Sequence, residues 1–304
     1  MLNDALIRYI ELRRSLGSKP RSQYVLLRNF VEYATANGDD FIRAERVLNW
    51  AILAPSAPQR RNRLLTVRRF ATASRMEDPR HELPAADAMG RSRFRRRLPY
   101  IYQPEDIGRL IREASLLKPS GTLRPLMYST LFGLLAATGM RVSEALSLRL
   151  DDVTSDGLLI RDTKFRKSRL LPLHETTRRA LERCLLVRAG MSVSHGFLFI
   201  CNSGTPLAYP TVVATFLKLV RSLGLRAGSR EPGPHIHDLR HTFAVRSLER
   251  CQREGEEVSR HAVALSAYLG DGHVTDTYWY LQATPILMRH IAKAGEIFYQ
   301  GGDV

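Results

Sequence analysis

His237-Asp238-Leu239-Arg240-His241, then an apolar helical pattern, then Tyr268-Leu269-Gly270 and Thr277-Tyr278-Trp279-Tyr280-Leu281, is the stretch around which the chain is organised. His237 and Arg240 stand at i and i+3, so on a helix they share one face. Tyr280 follows Arg240 by 40 residues. An imidazole, a guanidinium and a phenol suit attack on a phosphodiester: they supply a proton handler, a fixed charge for the non-bridging oxygens, and a nucleophile. Their spacing matches no obvious metal-binding pattern.

Two further stretches sharpen this reading. Arg141 lies in Ala137-Thr138-Gly139-Met140-Arg141-Val142-Ser143-Glu144-Ala145-Leu146. Between it and His237 runs Thr163-Lys164-Phe165-Arg166-Lys167-Ser168-Arg169-Leu170-Leu171-Pro172-Leu173. In this order and spacing the chain resembles the tyrosine recombinase (phage integrase) family over residues 102–290. The amino-terminal part is similar only in kind. The resemblance implies a mainly α, two-domain DNA clamp. Residues 1–82 would form a helical, SAM-like core-binding domain and residues 83–101 a basic linker. Residues 102–304 would form a mixed, mostly helical catalytic domain with a small β-sheet.

The resemblance also assigns roles. Arg141 and Arg240 would grip the scissile phosphate, with Glu144 orienting an arginine of the site. His237 would take the proton of the nucleophile Tyr280. Lys164, in the turn of a strand pair, would protonate the departing 5′-oxygen; Lys167 is its rival. Tyr280 stands nine residues after position 271, as the family's nucleophile does, and Tyr278 is the rival there. His235 and His241 read as neighbours without chemistry. The chain departs from the pattern at Leu269-Gly270-Asp271, where the family usually has Leu-Gly-His. A carboxylate there would repel the phosphate. Either His273 swings in to replace it, or the site works with reduced activity, or the chain is a non-cleaving relative. The implied function is site-specific strand exchange on double-stranded DNA through a 3′-phosphotyrosyl intermediate, by a homotetramer, in integration or excision of a mobile element. No metal or cofactor is expected. Two alternatives stay open: a DNA-binding relative without cleavage, and type IB topoisomerase-like activity.

Composition points the same way. The chain has 46 Lys and Arg against 30 Asp and Glu, a net charge of +16 and a pI near 10.3. Such an excess favours a polyanionic partner, most simply nucleic acid. Its 304 residues suit two moderate domains better than one large one. Cys184, Cys201 and Cys251 form no CxxC pair, which argues against a disulfide framework or zinc site and suits a reducing cytoplasm. The first residues do not read as a signal peptide, and no apolar run is long enough to span a bilayer.

In the amino-terminal part, apolar spacing predicts helices over 1–16, 21–37, 42–53 and 57–74. The outer face of the last carries Arg60, Arg61, Arg63, Arg68 and Arg69. It reads either as a solvated surface or as one that tracks the phosphate backbone. The linker ends in Arg91-Ser92-Arg93-Phe94-Arg95-Arg96-Arg97, where Arg95 and Arg96 are further candidate DNA contacts, as are Lys167 and Arg169. Beyond the linker, helices are predicted over 104–117, 123–137, 141–150, 174–190 and 209–224. Strands are predicted over 157–163, 168–173 and 196–200. Thr284-Pro285 opens a last helix over 283–298.

Overall fold

The computed structural model describes residues 2–18, 20–90, 97–161, 168–191, 195–228, 233–255, 257–271, 273, 275 and 280. The chain divides into two compact units, Met1–Arg97 and Leu98–Val304.

The first unit is a helical bundle of α1 (Leu2–Ser15), α2 (Arg21–Ala36), α3 (Ala44–Ile52) and α4 (Ala57–Glu77). Its core joins Leu6, Ile10, Leu27, Phe30, Val47, Trp50, Leu64, Val67 and Phe70. These positions recur at three- and four-residue intervals, so each helix turns one apolar stripe inward. Trp50 is buried, with the Phe30 ring edge-on at 5.4 Å and the Arg63 guanidinium 4.6 Å over its own ring. The segment 78–90 stays with this bundle. Glu82 N donates to Ile42 O at 2.8 Å, Ala44 N donates to the Glu82 carboxylate at 2.7 Å, and Leu83 and Met89 pack on the core. The first eight residues of the expected linker, 83–90, therefore lie against the helices. Residues 91–96, with Arg95 and Arg96, fall outside the described residues.

The second unit is built round α6 (Leu123–Thr138), which buries Met127, Tyr128, Leu131, Phe132, Leu134 and Leu135 on most of its circumference. It packs against α5 (Pro104–Ser115), α8 (Glu175–Ala189) and α10 (Asp238–Arg253). Between them run the short α7 (Val142–Ser147), a single 3-10 turn at Leu150–Asp152, and an antiparallel sheet. The sheet has the order β1 (Val153–Thr154), β2 (Gly157–Ile160), β3 (Arg169–Leu171), with Leu158 opposite Leu171 and Ile160 opposite Arg169. α9 (Tyr209–Ser222) and α11 (Val258–Leu269) complete the described elements. None of the described helices is long and apolar enough to cross a membrane.

Three expectations change. The helix expected over 141–150 stops at Ser147, because Leu148 runs extended. The strand expected over 196–200 forms only isolated bridges, Phe197 to Arg149 and Ile200 to Pro206. Pro206 has no N–H to extend a ladder. The apolar pattern between His241 and Tyr268 breaks into two helices at Gly255, whose φ of +75° is left-handed. The turn between Lys164 and Lys167, and the helix over 283–298, lie outside the described residues.

Gly139 ends α6 with φ +61°. A Cβ there would stand 2.5 Å from Phe243 Cδ1 and 3.0 Å from Leu269 Cδ2. Gly139→Ala combines left-handed strain with an overpacked contact and is expected to destabilise the chain by about 2–5 kcal/mol. Urea denaturation followed by circular dichroism measures it; an unchanged midpoint would mean that the turn has another conformation.

Candidate functional site

α6 ends at Gly139, and the tight turn it makes delivers Arg141 to the start of α7. Glu144, one turn on, folds back: its Oε2 accepts from Arg141 N at 3.0 Å and its Oε1 from Arg141 Nη1 at 2.9 Å. The same carboxylate accepts from Arg169 Nη2 at 2.8 Å. Glu144 thus joins two arginines that are 28 residues apart in sequence. Burial pushes its carboxyl up, but the bonds from Arg169 and Arg141 outweigh burial and hold it below the usual range.

α10 begins just after His237, and Arg240 lies in its first turn. Apolar packing buries that face, so the Arg240 side chain is only 3% exposed. A guanidinium so placed needs acceptors for its N–H groups. Arg240 Nη1 donates to Gly139 O at 2.9 Å, and Nη2 donates to Leu269 O at 3.0 Å and to Asp271 Oδ1 at 2.6 Å. Arg141 Nη2 reaches the same Asp271 Oδ1 at 2.9 Å, and also Gly270 O at 3.1 Å. The last carbonyls of α11, left without partners inside the helix, are the common target of these arginines.

The phenol lies close by. Tyr280 is 4% exposed, in the cluster formed by Ala244, Val245, Leu248, Leu265 and Leu269. Burial pushes its hydroxyl up, and the nearby Arg240 and Arg141 pull it down without cancelling that effect. A proton acceptor is therefore required before it can attack at neutral pH. The His237 imidazole is pushed down by burial and by the charges of Arg240 and Arg141. It is neutral at pH 7 and has a ring nitrogen able to accept a proton. His241, set aside from the chemistry on sequence, packs between the two: its ring is 4.7 Å from His237 and 5.4 Å from Tyr280. The i+4 spacing of His237 and His241 on one helix was the signal for their contact.

The structure thus gathers Arg141, His237, Arg240, Asp271 and Tyr280. His273 is exposed to solvent. Lys164, Lys167 and Tyr278 lie outside the described residues. Arg169, expected as a DNA contact, supports the site from inside. It is 12% exposed, and its donors are directed to Glu144 and to Tyr268 O at 2.8 Å. On α4, four of the five arginines of the basic face have an N–H on a backbone carbonyl of their own unit: Arg60 on Ala54, Arg61 on Gly90, Arg63 on Trp50 and Arg68 on Pro84. These bonds fix part of the basic face in place, while Arg69 is exposed.

The model of the phage integrase family matches residues 103–252. The protein y4rB of Sinorhizobium fredii, named as an integrase/recombinase, is 39% identical over 300 residues, 95% of each chain. Tyrosine recombinase XerC of Bacillus subtilis is 28% identical over 204 residues, covering 64% of this chain and 60% of its own. Among solved structures, the Tn1549 transposon integrase in complex with transposon right end DNA superposes with a TM-score of 0.64 at 17% identity. That match covers 96% of this chain and 99% of the other.

Because Glu144 has a lowered folded pKa, it contributes stability above its ordinary value of 4.5, and this is lost as pH falls through the folded value. Glu144→Gln is expected to cost about 1–3 kcal/mol at neutral pH. It should also flatten that part of the decline in stability below pH 4.5. Denaturation series at several pH values test this; a parallel decline in both proteins would contradict it.

Proposed function

The chain belongs to the phage integrase family, and on that premise we propose that it is a site-specific DNA recombinase with Tyr280 as its nucleophile. The observation that carries the proposal is the convergence of two guanidiniums, a neutral imidazole and a buried phenol from distant parts of the sequence. Arg141 and Arg240 hold the non-bridging oxygens of the scissile phosphate, where fixed positive charge stabilises the pentacoordinate transition state. Tyr280 Oη attacks phosphorus and gives its proton to His237. The bond from phosphorus to the 5′-oxygen breaks, and that oxygen takes a proton from Lys164. The products are a 3′-phosphotyrosyl enzyme and a free 5′-hydroxyl. The phosphoester energy is kept, so a 5′-hydroxyl from another strand reverses the step without ATP.

The Tn1549 integrase bound to transposon end DNA supports double-stranded DNA as the partner and a mobile element as the setting. Exchange of strands between two sites calls for four protomers, each with one nucleophile, so a homotetramer on paired sites follows. The second reading, a DNA-binding relative that does not cleave, draws on Asp271 at the phosphate position. It predicts that the wild type forms no covalent adduct and that Asp271→His brings one.

The test uses nicked fragments of the DNA around the protein's own gene. Wild type should form an adduct that survives denaturant, and Tyr280→Phe should form none while still binding in a salt-sensitive way. An undiminished adduct with Tyr280→Phe would move the role to Tyr278. The pH profile gives a separate check. Burial and the neighbouring charges hold the folded pKa of His237 below 6.5, so the rate of attachment should fall on acidification with its midpoint below pH 6.5. A fall already centred above pH 6.5 would exclude His237 as the acceptor.

A further inference from the structure

Asp271 Oδ1 is a single oxygen bonded by two guanidiniums, 2.9 Å from Arg141 Nη2 and 2.6 Å from Arg240 Nη2. Its side chain is 9% exposed. An anionic oxygen shared between an arginine pair is what a phosphate oxygen would make at the same place. Glu144 does not take this position: it meets Arg141 through Nη1 and the backbone N–H. The Asp271 backbone N–H is bonded to Ser266 O at 3.0 Å, so the carboxylate leaves the pair by rotation of its side chain to another staggered rotamer.

We propose that Asp271 occupies the anion seat of the free chain and that an incoming phosphodiester binds by displacing it. The inference rests on the reading of Arg141 and Arg240 as the phosphate-holding pair. A phosphate oxygen cannot join the pair while the carboxylate stays, because two like charges would share the same N–H donors. Exchange of one anion for the other keeps Arg240 compensated before and after binding, as a buried guanidinium requires. The carboxylate therefore sets how readily the site accepts DNA. A seat vacant about one-tenth of the time binds its ligand about tenfold more weakly than a seat always open.

The experiment titrates inorganic phosphate, at constant ionic strength, against wild type and Asp271→Asn, with thermal stability and calorimetry as readouts. Asp271→Asn should bind phosphate about tenfold more tightly than wild type or better. The double variant Asp271→Asn/Arg141→Ala should lose that gain. Equal affinity in wild type and Asp271→Asn overturns the inference and leaves the phosphate pair standing. Binding to neither also overturns it, and the Tyr280 attachment assay then decides separately whether the recombinase reading survives. If the variant does not fold, the wild type still supplies the answer. In its crystal structure on a nicked duplex, a phosphate oxygen should lie on both guanidiniums, with Asp271 Oδ1 off them. Asp271 still bridging the pair beside bound phosphate would sink the proposal.

Discussion

The carboxyl end of α11 is the point on which the second unit depends. Its last carbonyls face three arginines that arrive from three separate elements: Arg169 on Tyr268 O, Arg240 on Leu269 O, and Arg141 on Gly270 O. A helix carboxyl end carries partial negative charge and unpaired acceptors, so cations there satisfy both needs. The same bonds fix the three guanidiniums relative to one another. Helix capping and assembly of the site are one interaction.

Three guanidiniums brought this close would repel one another strongly if left alone; two unit charges 4 Å apart interact by about 4 kcal/mol at an effective dielectric constant of 20. Glu144 and Asp271 offset that cost, each bridging two arginines. The two carboxylates differ in kind. Glu144 sits on α7, in the first turn of a helix, and is held from two sides. Asp271 follows the left-handed Gly270, just past the end of a helix; its backbone N–H is bonded to Ser266 O at 3.0 Å, so an exchange there is made by its side chain alone. One is a permanent part of the scaffold, and the other sits where an exchangeable ion would.

Much of this was legible in the sequence, because helices with apolar stripes write their period directly. The boundaries of α2, α5 and α8 fall within two residues of those the spacing predicts. The residues gathered at the site were also legible as a set, since Arg141, His237, Arg240 and Tyr280 stand in short stretches with strong local chemistry. What the sequence did not disclose is which partner each charge chooses. Nothing in the spacing told that Asp271 would bridge both arginines, or that Arg169 would turn inward to Glu144. Such pairs join residues 25 to 130 positions apart, and only the packing of α7, α10 and α11 brings them together. The attachment of residues 83–90 was hidden for a related reason. That segment has no period of its own and is tied down by side chains of α4, Arg68 on Pro84 O and Arg61 on Gly90 O, 16 and 29 positions earlier.

The setting of Trp50 has an optical consequence. The chain has two tryptophans, Trp50 in the first unit and Trp279 beside the phenol in sequence. Trp50 is shielded from water by the bundle core, with a guanidinium over its face, so its emission reports on whether the four helices are closed. Trp279 belongs to the second unit, as the neighbour of Tyr280 in sequence. With one of the two replaced by phenylalanine, intrinsic fluorescence of the whole chain can follow each half in turn, without an added dye, while DNA or denaturant is titrated.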